Sequence, residues 1–316
     1  MPSQNGQFTM RSYPNIPRAR ASRPHPSPRV RLAILTAATV ALTAIGCGSS
    51  PTPPPAAATS ASSPMVMPGM TMVTGPDATG LTATSTSGYR FVPDTTTLTA
   101  GKPSQFRFQI LGPGTKPVTD YDVEQTEPLH FYVIRDDLTG FQHVHPTLGP
   151  DGTWTAPLAA SAPGVYRAYP QFTAHPAGGQ SAPLVLGTQI TVTGPAAPAH
   201  PLPAPTPTTQ VDGYTLTLGG HAGAGTDGEL SVTVSQDGRP VTDLQPYLDT
   251  YAHLTAFHQG DLAFAHLHPT GAVNGDHGGP QLSFHATLPE PGNYRMFLQF
   301  QTAGVLHTAA ITLTTQ

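Results

Sequence analysis

Polar and apolar residues alternate along several short stretches of the chain. Residues 105–110 (QFRFQI), 214–218 (YTLTL), 229–234 (ELSVTV) and 310–314 (AITLT) each place every second side chain on one face. A period of two marks a half-buried strand. Turn signals such as Gln236-Asp237-Gly238 and Ala162-Pro163-Gly164 recur between such stretches. The 37 prolines and 32 glycines, set against 10 % charged residues, argue against long amphipathic helices. Pro and Gly interrupt a helix, and few Glu, Lys and Arg remain to cover its exposed face. The pattern predicts an all-β protein of short strands.

The strands belong to two copies of one unit. Gly88-Tyr89 matches Gly213-Tyr214, and Lys116-Pro117-Val118-Thr119-Asp120 matches Arg239-Pro240-Val241-Thr242-Asp243. Phe141-Gln142-His143-Val144-His145-Pro146 matches Phe264-Ala265-His266-Leu267-His268-Pro269. Pro163-Gly164-Val165-Tyr166-Arg167 matches Pro291-Gly292-Asn293-Tyr294-Arg295, and Gln171-Phe172 matches Gln299-Phe300. The fold class expected is two tandem immunoglobulin-like β-sandwich domains, at 88–193 and 210–316. A Pro/Ala linker, 194–209, lies between them, and a disordered N-terminal tether precedes them at 47–87.

The first 46 residues read as a signal peptide of the lipoprotein type. Arg29 and Arg31 precede an apolar run at 32–45 that is too short to span a bilayer but long enough for a signal sequence. The run ends in Gly46-Cys47-Gly48, which resembles a bacterial lipobox, with Ala44 where Leu is usual. Cys47, the one cysteine, is the expected lipidation site, which places the protein on the outer face of the cell membrane through its anchor. Removing the segment also changes the charge. Six arginines and no acid leave with it, so 8 basic and 18 acidic residues remain, a net of −10. Such a chain is unsuited to nucleic acid, whose phosphates require a basic surface.

Six histidines recur with the repeat: His130, His143 and His145, then His253, His266 and His268. His130 to His143 spans thirteen residues, as does His253 to His266. Residues two apart on a strand share a face, so each His-x-His pair can present two imidazoles together. A two-residue turn at Gly260-Asp261 sets His253 opposite His268. A simple five-residue turn in the first copy sets His130 opposite Pro146, one residue out of register with His145, unless a bulge corrects it. Asp137 and Asp261 are either further ligands or turn formers. The tether adds Met65, Met67, Met70 and Met72, whose thioethers suit Cu(I). The same histidines could instead be structural, bonding turns and loop carbonyls.

The repeated Asp-Leu…Phe-x-His-x-His-Pro pattern, with its later Pro-Gly-x-Tyr-Arg, resembles a largely uncharacterised family of bacterial secreted proteins and lipoproteins, copper- or heavy-metal-associated in character. The resemblance implies an exported location and a metal role. The first copy, which lacks the second copy's flanking histidines, is the weaker match. No Gly-x-Ser-x-Gly, His-Glu-x-x-His or phosphate loop is present, and no cysteine remains for a blue-copper site. The expectation is therefore a non-enzymatic protein that binds, buffers or transfers copper or zinc, with the membrane and the ion as partners. The alternative is a cell-surface interaction or adhesion module with structural histidines and an envelope protein as partner.

Overall fold

A computed structural model describes residues 75–176, 179–195 and 197–316. The signal segment, Cys47 and Met65, Met67, Met70 and Met72 lie outside the described residues. The described chain is all-β, as two immunoglobulin-like sandwiches. In the first, one sheet runs in the order Arg90–Pro93, Ser104–Leu111, Thr153–Leu158, Thr147–Leu148. The other runs Thr97–Thr99, Thr188–Thr193, Gly164–Ala174, His130–Arg135, Gln142–Val144. Phe106, Phe108, Phe131 and Trp154 fill the space between them without exposure.

The second sandwich has the same plan, with one continuous path of strands. Phe264–Thr270 pairs with Ala252–His258 through its first half and with Gln281–Thr287 through its second. It therefore crosses from one sheet to the other. In the first repeat the corresponding stretch is cut in two, Gln142–Val144 and Thr147–Leu148, with Pro146 between them. Pro269 holds the matched position inside the unbroken strand of the second repeat, so the proline alone does not set the break.

Two strands are buried along nearly their whole length, His130–Arg135 and Ala252–His258. Phe131 and Val133 face their own core, whereas Tyr132 and Ile134 join a third apolar cluster with Phe257, Phe264 and Phe297 of the other repeat. Neither strand alternates in sequence because neither has a face toward water. Phe141 stacks on Phe297 with ring centroids 4.2 Å apart, and Phe264 lies 5.0 Å from Tyr132. The Tyr169 hydroxyl donates to the Leu262 carbonyl at 2.7 Å. The repeats thus share an apolar, aromatic seam.

The seam is strapped by chain expected to be tether. Near the start of the described residues a 3-10 turn spans Gly75–Ala78. Asp77 accepts from the Thr86 backbone at 3.0 Å and the Thr86 hydroxyl at 2.6 Å. The Phe264 amide donates to the Thr79 carbonyl, and Arg167 donates to the carbonyls of Gly80 and Leu81. Gly80, at φ 63°, runs against the Tyr169 ring where a Cβ would sit. Composition suggested disorder, but these backbone groups are paired, and pairing offsets the ordering cost. The linker is held in a similar way. Buried Arg135 donates to the carbonyls of Ala197 and Pro198, and Asp137, paired with Arg135 at 3.2 Å, accepts from the His200 amide.

Candidate functional site: a histidine cluster at the repeat seam

The first repeat brings its three histidines together by register. Phe131 pairs with Val144 and Tyr132 with His143, which sets His130 level with His145 rather than Pro146. The Arg135 amide closes the turn on the Thr139 carbonyl. That pairing is one residue out of step with the strand, and the extra residue is taken up beside Gly140, at φ 65°. A simple turn is therefore not what the chain makes. Asp137 forms the turn by accepting from the Thr139 amide and hydroxyl. His130, Tyr132, His143 and His145 then share the face toward the second repeat, with His143 stacked 4.3 Å from Tyr132.

Three nitrogens converge there. His143 Nε2 lies 3.1 Å from His130 Nδ1 and 3.3 Å from His145 Nε2. The other nitrogen of each ring faces an oxygen. His143 Nδ1 donates to Gln299 Oε1 at 2.7 Å, His130 Nε2 donates to the Glu124 carbonyl at 3.1 Å, and His145 Nδ1 points to the Glu127 carboxylate at 3.9 Å. A neutral imidazole has one N–H and one lone pair. With the N–H of His130 and of His143 spent outward, both of these inner nitrogens keep a bare lone pair, so the 3.1 Å contact sets two acceptors face to face.

Protonation does not relieve this. Burial pushes His130 down to about 4, helped by the charge of His145, and burial likewise takes His145 to about 4. His143 is held well below its usual range by burial and by His130, His253 and His145. The three rings are thus neutral at physiological pH. This is the state in which imidazole binds a metal, and outward hydrogen bonds of this kind orient metal-ligating histidines.

The supporting oxygens come from a strained turn. Glu124 and Glu127 pair with each other across Gln125 and Thr126, which sit at φ 49° and 68°. Non-glycine residues in this region cost about 1 kcal/mol or more each. The same turn recurs at Tyr247–Thr250, with Leu248 and Asp249 at φ 55° and 57°. There no glutamate stands at the position of Glu127.

The second copy does not converge. In register it resembles the first, with Leu254 opposite Leu267 and Thr255 opposite His266, so His253 comes level with His268 as the turn at Gly260-Asp261 predicts. Yet His130, His143 and His145 are the one group of three candidate ligands among the described residues. The chemistry is reversed at a single amide. The Tyr132 hydroxyl claims Gln171 Oε1, so Gln171 Nε2 donates to His266 Nδ1 at 2.9 Å. His266 Nε2 must then carry its hydrogen, and it is buried without a partner. Thr255 stands where Tyr132 stands in the first repeat, and Gln299 Nε2 turns to the Thr308 hydroxyl, leaving its oxygen for His143. The sequence pointed to the second copy as the better site, and the structure reverses that order. Flanking histidines do not help it, because His258, His285 and His307 each sit against an aspartate. Asp261 accepts from His258 and from the Ala263 amide and forms the turn.

Gln299, Glu124 and Glu127 were missed in the sequence. The match of Gln171 with Gln299 was visible, but only the fold shows that each reaches the other repeat's histidine.

Two β-sandwiches joined at a histidine-lined seam define the class of protein. The profile of DUF8832, a domain of unknown function, matches residues 83–183 and 209–316, and the chain belongs to that family. No curated protein matches. Among solved structures, the chain is similar to the Escherichia coli adhesin FdeC at 15 % identity, covering 76 % of this chain and 66 % of that one, with a TM-score of 0.23. It is also similar to domains 4–9 of the surface layer protein SbsC at 11 % identity, 72 % and 31 % coverage and a TM-score of 0.20. The D0-D1 domain of intimin gives 12 %, 71 % and 97 %, and 0.20. The chain therefore spans less than two thirds of the first two, and scores this low do not establish a shared arrangement.

Proposed function

We propose that this chain is a metal-binding protein whose His130, His143 and His145 hold one d10 ion, zinc or cuprous copper. The observation that carries this is the outward hydrogen bonding of His130 and His143, which leaves two bare nitrogens face to face with His145 Nε2 beside them. Their spacing supports the choice of ion. Ligands at a Zn–N distance of about 2.05 Å in a tetrahedron stand about 3.3 Å apart. In a square plane, as Cu(II) prefers, they stand about 2.9 Å apart. The contacts of 3.1 and 3.3 Å match the tetrahedral edge better. Glu127 adds a negative charge beside the site.

The reading includes export and lipid attachment at Cys47, which rest on the signal-like segment at 32–45 and the small residues around the cysteine. It is a binding, buffering or transfer function without catalysis, and Met65, Met67, Met70 and Met72 would serve cuprous ions on the tether. A second reading, a non-enzymatic cell-surface interaction module, is favoured by one observation. The His143–Gln299 and His266–Gln171 hydrogen bonds cross the seam reciprocally, so histidines also pin the repeats together.

The test is uptake by the lipid-free mature chain. After loading with zinc and removal of excess, metal analysis is expected to find one tightly held equivalent per chain. A chain that retains none while its repeats stay folded supports the second reading.

A further inference from the structure

We propose that His253, from the second repeat, is the fourth ligand of the first repeat's site, so that the bound ion clasps the two repeats together. This rests on the metal-binding reading above. His253 is 1 % exposed, and neither of its ring nitrogens has a hydrogen-bond partner. The Leu248 backbone is near enough to favour its charged form but lies outside hydrogen-bonding geometry. A buried nitrogen without a partner is destabilising, and coordination would satisfy one of the two.

Its ring lies between the triad and its own repeat's His266, whose centroid is 5.7 Å away. The His253 centroid lies 5.9 Å from His130 and 5.7 Å from His143. Within the triad the centroid distances are 5.4, 5.1 and 4.8 Å. Four imidazoles around one tetrahedral ion have centroids about 5.2 Å apart, given a metal–nitrogen distance of about 2.05 Å. His253 therefore stands roughly half an ångström outside that shell, within reach of a small ring rotation. Thr255, two residues along the same strand, is also buried with its hydroxyl unpartnered.

A tetrahedral ion needs a fourth donor. If three histidines came from one repeat and the fourth were water, the site would sit on one sandwich alone. With His253 as the fourth, both repeats contribute, and the seam becomes part of the coordination sphere. The duplication of the domain then has a use that one copy cannot supply.

X-ray absorption at the zinc edge, on the loaded wild-type chain, counts imidazoles directly. Four are expected. Zinc competition with His253→Gln is expected to show affinity roughly tenfold weaker or more, with apo melting curves confirming that the variant folds. Three imidazoles and an oxygen in the wild type would overturn the clasp and leave the triad standing. Unchanged affinity in a folded His253→Gln chain would do the same. Failure of the wild type to take up zinc would overturn the metal-binding reading itself, and the clasp with it.

Discussion

Replacing His143 by Ala is expected to lower zinc affinity by at least about 100-fold, the largest effect of any single substitution in the cluster. His143 Nε2 is the central nitrogen, in contact with both other donors. Removing it takes away the ring that bridges His130 and His145. Gln299→Leu is expected to cost about 10–100-fold, because losing a hydrogen-bonded partner of a ligand typically has that effect. Leucine fills a similar volume but cannot accept the Nδ1 hydrogen, so His143 is freed to put its N–H on the inner nitrogen. Gln171→Leu, at the matched position, is expected to cost much less than Gln299→Leu, since Gln171 bonds His266 and reaches the triad only through the Tyr132 hydroxyl. Competition against a chelator of known affinity ranks the three. Equal losses at Gln171 and Gln299 would mean that the two repeats bind alike, against the asymmetry described.

Acid is expected to destabilise the metal-free protein in a defined window. An unfolded histidine titrates near 6.5, whereas burial holds folded His130 and His268 at about 4. Between these values the unfolded chain binds more protons, so stability falls as pH drops through 6.5 and levels off below about 4. For His130 alone the loss at pH 5 is about 2 kcal/mol. His143, His253 and His266 shift in the same direction, so the observed loss exceeds the single-residue figure. Carboxylates titrate mostly below pH 5, which leaves the interval from 6.5 to 5 to the histidines. Denaturant midpoints at pH 7 and pH 5 read the effect. A flat response would mean that the histidines are not buried as neutral rings. Zinc should oppose the loss, because it binds the same lone pairs that protons seek.

The duplicated β-sandwich was legible in sequence because its outer strands have one wet face and one dry face. Asp227–Gln236 and Val305–Thr315 alternate in burial much as they alternate in composition. The seam was not legible for the same reason. His130–Arg135 reads as a plain apolar run, and nothing local says that its second face meets another repeat rather than water. The six repeat histidines stood out by spacing alone, but the flanking histidines favoured the second triad rather than the first. That choice depends on a bulge beside Gly140, on which way two amides turn, and on one tyrosine, Tyr132, opposite Thr255. These are tertiary facts carried by residues far apart in the chain. The strap at Gly75–Ala78 was hidden differently, since its stability lies in backbone pairing and its composition resembles a disordered segment.

The central claim is that three inner nitrogens of the first repeat converge on one ion. Anomalous diffraction at the zinc edge, from crystals of the mature chain grown with zinc, tests it most directly. One strong peak is predicted at about 2.0–2.1 Å from His130 Nδ1, His143 Nε2 and His145 Nε2. A peak confined to the half-buried His285 and its partner Asp227, or to the second repeat's histidines, would contradict the account.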